Sequence, residues 1–186
     1  MNLRLSISCV VVSDLQAIGD EVRVLASALD RVNGAAGAAV GRAQEIGARA
    51  ARAGFAGVAA GMARVCTALG EVRAALTPVG GSLGEAAVSL AAVPKEATPD
   101  QVVAALNAAT GKVTAARDGV AGVAARLTDV QRLVLAVLQG GQPGPMVSAL
   151  DGVRHGLAQV GQRCDAVNVR ISAAVEEARK IGDAGN

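Results

Sequence analysis

His155 is the one histidine in the chain, so any acid–base chemistry would have to begin there. A general base needs an orienting acid and a proton-bearing nucleophile within hydrogen-bond reach. Asp151 precedes His155 by four residues, one turn away on a helix. No serine or cysteine stands at a spacing that completes a triad. His155 also falls between the apolar positions Val153 and Leu157, which turns it toward solvent. Cys9, Cys66 and Cys164 are odd in number and far apart, with no CxxC or Cys/His spacing. They read as small hydrophobes, not as zinc ligands or disulfide partners. The carboxylates are scattered singly, and the adjacent Glu176 and Glu177 diverge on a helix. There is no Glu-x-x-His pair of the kind di-iron bundles use. No GxGxxG follows a strand and no GxxxxGK[ST] occurs. Gly140-Gly141-Gln142-Pro143-Gly144-Pro145 is glycine-rich, but its two prolines lack the amide donors a phosphate would need, so it reads as an interhelix turn. The residues therefore predict no enzyme: no catalytic, cofactor-binding or metal-binding side chains, no cofactor, and no small-molecule substrate.

Composition limits the partners. Lysine plus arginine number 18 against 16 aspartates and glutamates. That balance lacks the cation excess a nucleic acid needs, and with aromatics at 1% of the chain there is no base-stacking platform. Arg42, Arg49 and Arg52 share one side of the first helical pattern, with Glu45 among them. A solvated face is the first reading, and a lipid-surface or acidic-partner patch the second. Mean hydropathy is positive. The longest uncharged run, from Leu133 to Leu150, is nevertheless interrupted by the Gly140–Pro145 segment, so no transmembrane helix is expected. Met1 to Val12 holds one arginine and a short apolar run without a small-x-small cleavage site, too little for a signal peptide.

The elements that would position any site are helical ladders. Apolar residues step by three and four from Leu15 through Ile18, Val22, Leu25, Leu29, Val32, Ala36, Ala39, Ala43 and Ile46 to Ala50. A stripe of that period stays on one face when helices supercoil left-handedly. The first helix should span about 14 to 52, roughly 58 Å at 1.5 Å per residue. Ser13 and Gln16 have capping-box spacing ahead of it. Before that, Leu3, Leu5, Ile7, Cys9 and Val11 alternate, which fits a short strand or one or two further helical turns. The register slips at Gly54. A second ladder runs from Phe55 and Val58 through Met62, Val65 and Leu69 to Leu90 and Val93. Pro78, with Gly80 and Gly81, predicts a kink or short break near Thr77. Pro94 to Ala97 is a linker. Thr98-Pro99-Asp100-Gln101 is a helix start: cap, first-turn proline, acid, and glutamine at the capping-box position. A third ladder runs from Val102 to Val137, and a fourth from Met146 to Ile181, closed by Arg179, Lys180 and Gly182. The stretches Leu69–Gly80 and Leu150–Gly161 agree at six of twelve positions, four of them ladder positions that the shared period would match anyway.

Phe55-Ala56-Gly57 is the expected turn of the first hairpin, and it carries the only aromatic residue. Two long helices joined there resemble the WXG-type hairpins exported by ESX (type VII) secretion systems, whose turn carries Trp-x-Gly. Here Phe55 stands in place of tryptophan, and the chain has no tyrosine for the family's export signal. The resemblance covers 14–93. The whole chain is similar to uncharacterised alanine-rich helical proteins of actinobacteria, through Ala53-Gly-Phe-Ala-Gly-Val-Ala-Ala-Gly-Met62 and Val137-Leu-Gln-Gly-Gly-Gln-Pro-Gly-Pro-Met146-Val-Ser-Ala-Leu-Asp-Gly152. Similar segments precede deaminase-like toxin domains in longer proteins, which implies a delivery or trafficking module.

The expectation is an all-α protein: an elongated four-helix antiparallel bundle, or coiled coil, built from two long helical hairpins. Residues 1–12 form an N-terminal extension, and 13–186 the bundle, with hairpins at 14–93 and 99–182. The expected function is non-enzymatic, acting through a protein partner or self-association. It is either a secretion-associated module exported by a leaderless route or a cytoplasmic scaffold or homodimer. Phe55 and Gly57 are its turn motif.

Overall fold

A computed structural model describes residues 2–183, with side chains from Ser13 onward. Four α-helices follow one another: α1 (Asn2–Arg52), α2 (Ala56–Ala91), α3 (Pro99–Val137) and α4 (Gly144–Asp183). No strand occurs among the described residues.

Helix α1 begins twelve residues earlier than the ladder predicts. The alternation from Leu3 to Val11 is carried on helix, not strand. No glycine or proline occurs between Asn2 and Ile18, so nothing interrupts propagation once a helix has formed. Ser13 accordingly sits inside α1 and caps nothing. Cys9 lies outside the residues whose side chains are described. Helix α2 also runs unbroken, with Pro78 inside it. Pro78 and Ala74, whose carbonyl loses its partner, are both exposed, so water can replace the missing bond. The start of α3 is built as its sequence predicts. The Thr98 amide donates to Gln101 Oε1 at 2.9 Å, and the Gln101 amide donates to Thr98 Oγ1 at 3.4 Å. At the other end of the second hairpin, Gly182 is still helical, and its Cα faces Pro99.

The chain forms two compact units, and every helix contributes to both. One unit comprises Met1–Ser27, Val79–Asp118 and Gln162–Asn186. Its core includes Leu15, Ile18, Val22 and Leu25 from α1, Leu83 and Leu90 from α2, Leu106 and Val113 from α3, and Val167 and Ile171 from α4. Neighbouring helices are joined in a ring. Gly19 meets Leu90, Lys112 pairs with Glu85, Asn168 Nδ2 donates to Thr114 Oγ1 at 3.2 Å, and Arg170 pairs with Glu21. These link α1 to α2, α2 to α3, α3 to α4, and α4 back to α1.

The other unit comprises Ala28–Pro78 and Gly119–Gly161. Here α1 presents Ala36, Ala39, Ala43 and Ala50, all buried. From α2 come the bulkier Met62, Val65, Leu69 and Val72, also buried. Gly47 faces Met62, Val40 faces Cys66, and Gly37 faces Arg73, so numbers fall on one helix as they rise on the other. The pair is antiparallel. Gly61 against Val137, Gln131 against Asp151, and Gly156 against Val32 complete the same ring of four neighbours. Each unit is thus an antiparallel four-helix bundle.

No polar or charged residue is buried among the described residues. Each fully buried Leu or Val contributes about 1.5–3 kcal/mol through the water-avoided apolar surface. Packing between helices, not propensity, must hold a chain with 23 glycines in helical form.

Candidate binding site at the α1–α2 turn

The chain leaves α1 through a closed set of backbone bonds. The Phe55 amide donates to the Ala50 carbonyl at 2.8 Å, and the Gly54 amide to the Ala51 carbonyl at 3.1 Å. That pair is the Schellman closure, in which the residue after the last helical turn must adopt left-handed φ. Gly54 supplies it with φ of 80°. The Phe55 carbonyl then accepts the Ala59 amide at 3.1 Å and so begins α2. The glycine this turn requires is Gly54. Gly57 lies in the first turn of α2, with an ordinary helical backbone and open space where a Cβ would go.

Phe55 therefore does not join the seam its ladder position suggests. It is 64% exposed, and Val58 behind it is only half-buried. An aromatic at this point of a Schellman turn commonly folds back onto the preceding helix. Here the ring stands in solvent on a backbone fixed at both ends. Exposed arginines surround it in sequence: Arg42, Arg49 and Arg52 on α1, and Arg64 on α2. Arg52 Nε donates to the Ala48 carbonyl at 3.4 Å. Among the described residues no carboxylate is paired with any of the four, although Glu45 lies between Arg42 and Arg49.

The other candidates disperse. His155 is exposed and shares a 2.9 Å hydrogen bond with Gln159. Asp151 does not orient it, because that carboxylate accepts Gln131 Nε2 at 2.8 Å and Arg154 Nη2 at 2.9 Å. Cys164 is buried at the seam of α4, and burial pushes its thiol up to about 11. Cys66 is half-buried beside the Val40 carbonyl, and burial raises its thiol as well. Cys164 takes the place of a buried small hydrophobe, as expected, whereas Cys66 lies beside the ladder and is only part-buried. Among the described residues no three His, Cys, Asp or Glu side chains gather where a metal could be held. None of the described helices is long and apolar enough to cross a membrane.

The α3–α4 pair carries a polar edge that the ladders do not reveal. Arg117 Nε donates to Asp165 Oδ1 at 2.6 Å, Gln131 reaches Asp151, and Asn168 reaches Thr114. The Asp165 hydrogen bond and charge hold the Arg117 guanidinium above its ordinary range. Asn168 Oδ1 is buried without a partner. These contacts fix which turn of α4 meets which turn of α3. The only sequence signal for them is a polar residue beside each ladder, which helices facing solvent share.

Residues 97–183 match a family of unknown function (DUF6244). The matched span opens at the Thr98 cap and closes with α4, so it covers the second hairpin and no part of the Phe55 turn. No curated protein and no solved structure matches the chain.

Proposed function

We propose that this protein works through protein–protein contact, with the α1–α2 turn as its contact point, as a module associated with type VII-like secretion or toxin delivery. The observation that carries the contact is Phe55. A single aromatic residue is held outside the core by a turn that fixes its backbone, so little conformational freedom remains to be lost when a partner covers it. Buried aromatic anchors of this kind dominate interface energetics. The secretion context rests on the resemblance of the 14–93 hairpin to WXG-type proteins, and the actinobacterial setting on the alanine-rich segments around Phe55 and Pro143.

The experiment is a photo-crosslinking amino acid at position 55, used in an actinobacterial host that expresses the protein. The expected product is an adduct with a second, different chain, together with the protein in the culture filtrate. Finding no adduct under conditions of good expression removes the contact. Retention of all the protein inside the cell removes the secretion context while leaving the contact intact.

A further inference from the structure

Charge is unevenly spread around the exposed ring. Between residues 42 and 64 lie Arg42, Arg49, Arg52 and Arg64 against Glu45 alone. The whole chain has 18 basic and 16 acidic residues, so everything outside this stretch is slightly acidic. Elsewhere, arginines such as Arg23, Arg117, Arg132, Arg154, Arg170 and Arg179 are matched by nearby carboxylates. Among the described residues the four between residues 42 and 64 are not, and neither are Arg31, Arg73, Arg126 and Arg163, so what distinguishes this stretch is its local excess of positive charge.

A structural role accounts for only half of them. Arg49 and Arg52 lie in the last turn of α1, where a cation offsets the negative end of the helix dipole. Arg42 is ten residues before that end, and Arg64 is inside α2, so the dipole effect reaches neither. Neither gains a charge partner within the fold. Their positive charge, carried on the two helices that the Phe55 turn joins, is chemically complementary to an extended surface that offers carboxylates beside an apolar spot. Arginine pairs with carboxylate through two parallel hydrogen bonds, which sets orientation as well as affinity.

We infer that the α1–α2 turn docks an acidic segment of a partner protein, with Phe55 entering an apolar spot and the arginines at positions 42, 49, 52 and 64 pairing with carboxylates around it. The inference rests on the contact reading of Phe55 and adds the chemistry of what it contacts. Nucleic acid fits less well, because one ring is no stacking platform and four cations make no continuous backbone track. A bilayer surface fits less well too, because Phe55 is flanked by Ala53, Gly54, Ala56 and Gly57, which offer little apolar area to insert.

The test is selection of binders from a random-peptide display library on the full chain, followed by affinity measurements with the enriched peptides. The expected peptides are rich in Asp and Glu around an aliphatic or aromatic residue. Phe55→Ala and the pair Arg42→Glu/Arg64→Glu should each weaken them about tenfold or more, with unchanged circular dichroism and melting. Added salt should weaken binding to the parent protein and have little effect on the charge-reversed one. Enriched peptides that depend on Phe55 but carry no acidic excess overturn the acidic partner and leave the contact reading standing. No Phe55-dependent peptide at all removes both. Phe55-dependent sedimentation with phosphatidylserine vesicles, without acidic peptides, overturns the proposal in favour of a membrane surface.

Discussion

Gly61 of α2 stands so close to Val137 of α3 that a Cβ added to it would lie 2.5 Å from one valine methyl and 2.6 Å from the other. Because the added atom would meet both methyls and the valine Cβ at 3.1 Å, no rotation of Val137 clears it. Gly61→Ala should therefore destabilise the protein by about 1–3 kcal/mol, despite the gain in helix propensity. Val137→Ala in the same chain should restore most of that loss. A double-mutant cycle by chemical denaturation measures it, and additive effects would rule the contact out. Gly156→Ala is the milder comparison, since it would meet one methyl of Val32, at 2.7 Å, with the valine Cβ 3.9 Å away.

Gly54 and Phe55 are neighbours with opposite expected behaviour. Gly54 holds φ of 80°, which an alanine adopts at a cost of about 1–2 kcal/mol. Gly54→Ala should lower the melting temperature, whereas Phe55→Ala should leave it within the scatter of surface substitutions. If Phe55→Ala melts as low as Gly54→Ala, the ring belongs to the fold and not to a partner.

The ladders made the four helices legible because a three-four step is the imprint of a buried helix face. From Leu15 to Ala43, from Met62 to Leu90, from Val102 to Val134 and from Met146 to Ala178, the ladder positions are buried. The pattern failed where backbone geometry overrides side-chain type. Phe55 keeps the period but follows the left-handed Gly54, so it is aimed outward. Val175 breaks the period and is still buried, since α4 offers the core a wider face there. Pro78 signals interruption, yet the apolar seam on either side of it keeps phase and α2 continues. The candidate site was half legible: the singular aromatic and the arginines stand out in sequence, but whether the ring packs inward depends on a turn closure that residue types alone do not specify.

Cys164 supplies a pH-dependent prediction. Its thiol is pushed up from an ordinary 9.0 to about 11, first by burial and then by the nearby Asp165 charge. A raised thiol favours the folded state while it stays protonated. That contribution is complete below 9.0 and is lost as pH climbs toward 11. Denaturation midpoints of the parent chain should fall across that interval, and those of Cys164→Val should fall less. In a Cys9→Ser background at neutral pH, Cys66 should react with a thiol reagent before Cys164, which should wait for opening of the fold. Equal labelling rates would contradict the burial of Cys164.

Glu85 gives the acid counterpart. The hydrogen bond from Lys112, and then its charge, lower the Glu85 carboxyl. A lowered carboxyl stabilises the fold above its unfolded pKa, and the effect disappears as pH falls through the folded value. The pair is exposed, so the effect is small and should fade in salt. The stability difference between the parent and Glu85→Gln should thus be present at neutral pH and vanish in acid. A difference independent of both pH and salt would point to packing rather than charge.

Pro78 is the place where sequence and fold disagree most, which makes its replacement informative. Inside a helix, proline removes one backbone bond and crowds the preceding turn, at a cost of about 3 kcal/mol relative to alanine. Its ring is exposed, so Pro78→Ala removes no core packing. The helix on either side is already buried in register through Leu76 and Val79. Pro78→Ala should therefore raise stability, by up to about 3 kcal/mol and less where α2 has relaxed around the ring. Thermal denaturation is the measurement. A fall in melting temperature would mean that the ring serves a contact of its own and that its place in α2 is selected rather than tolerated.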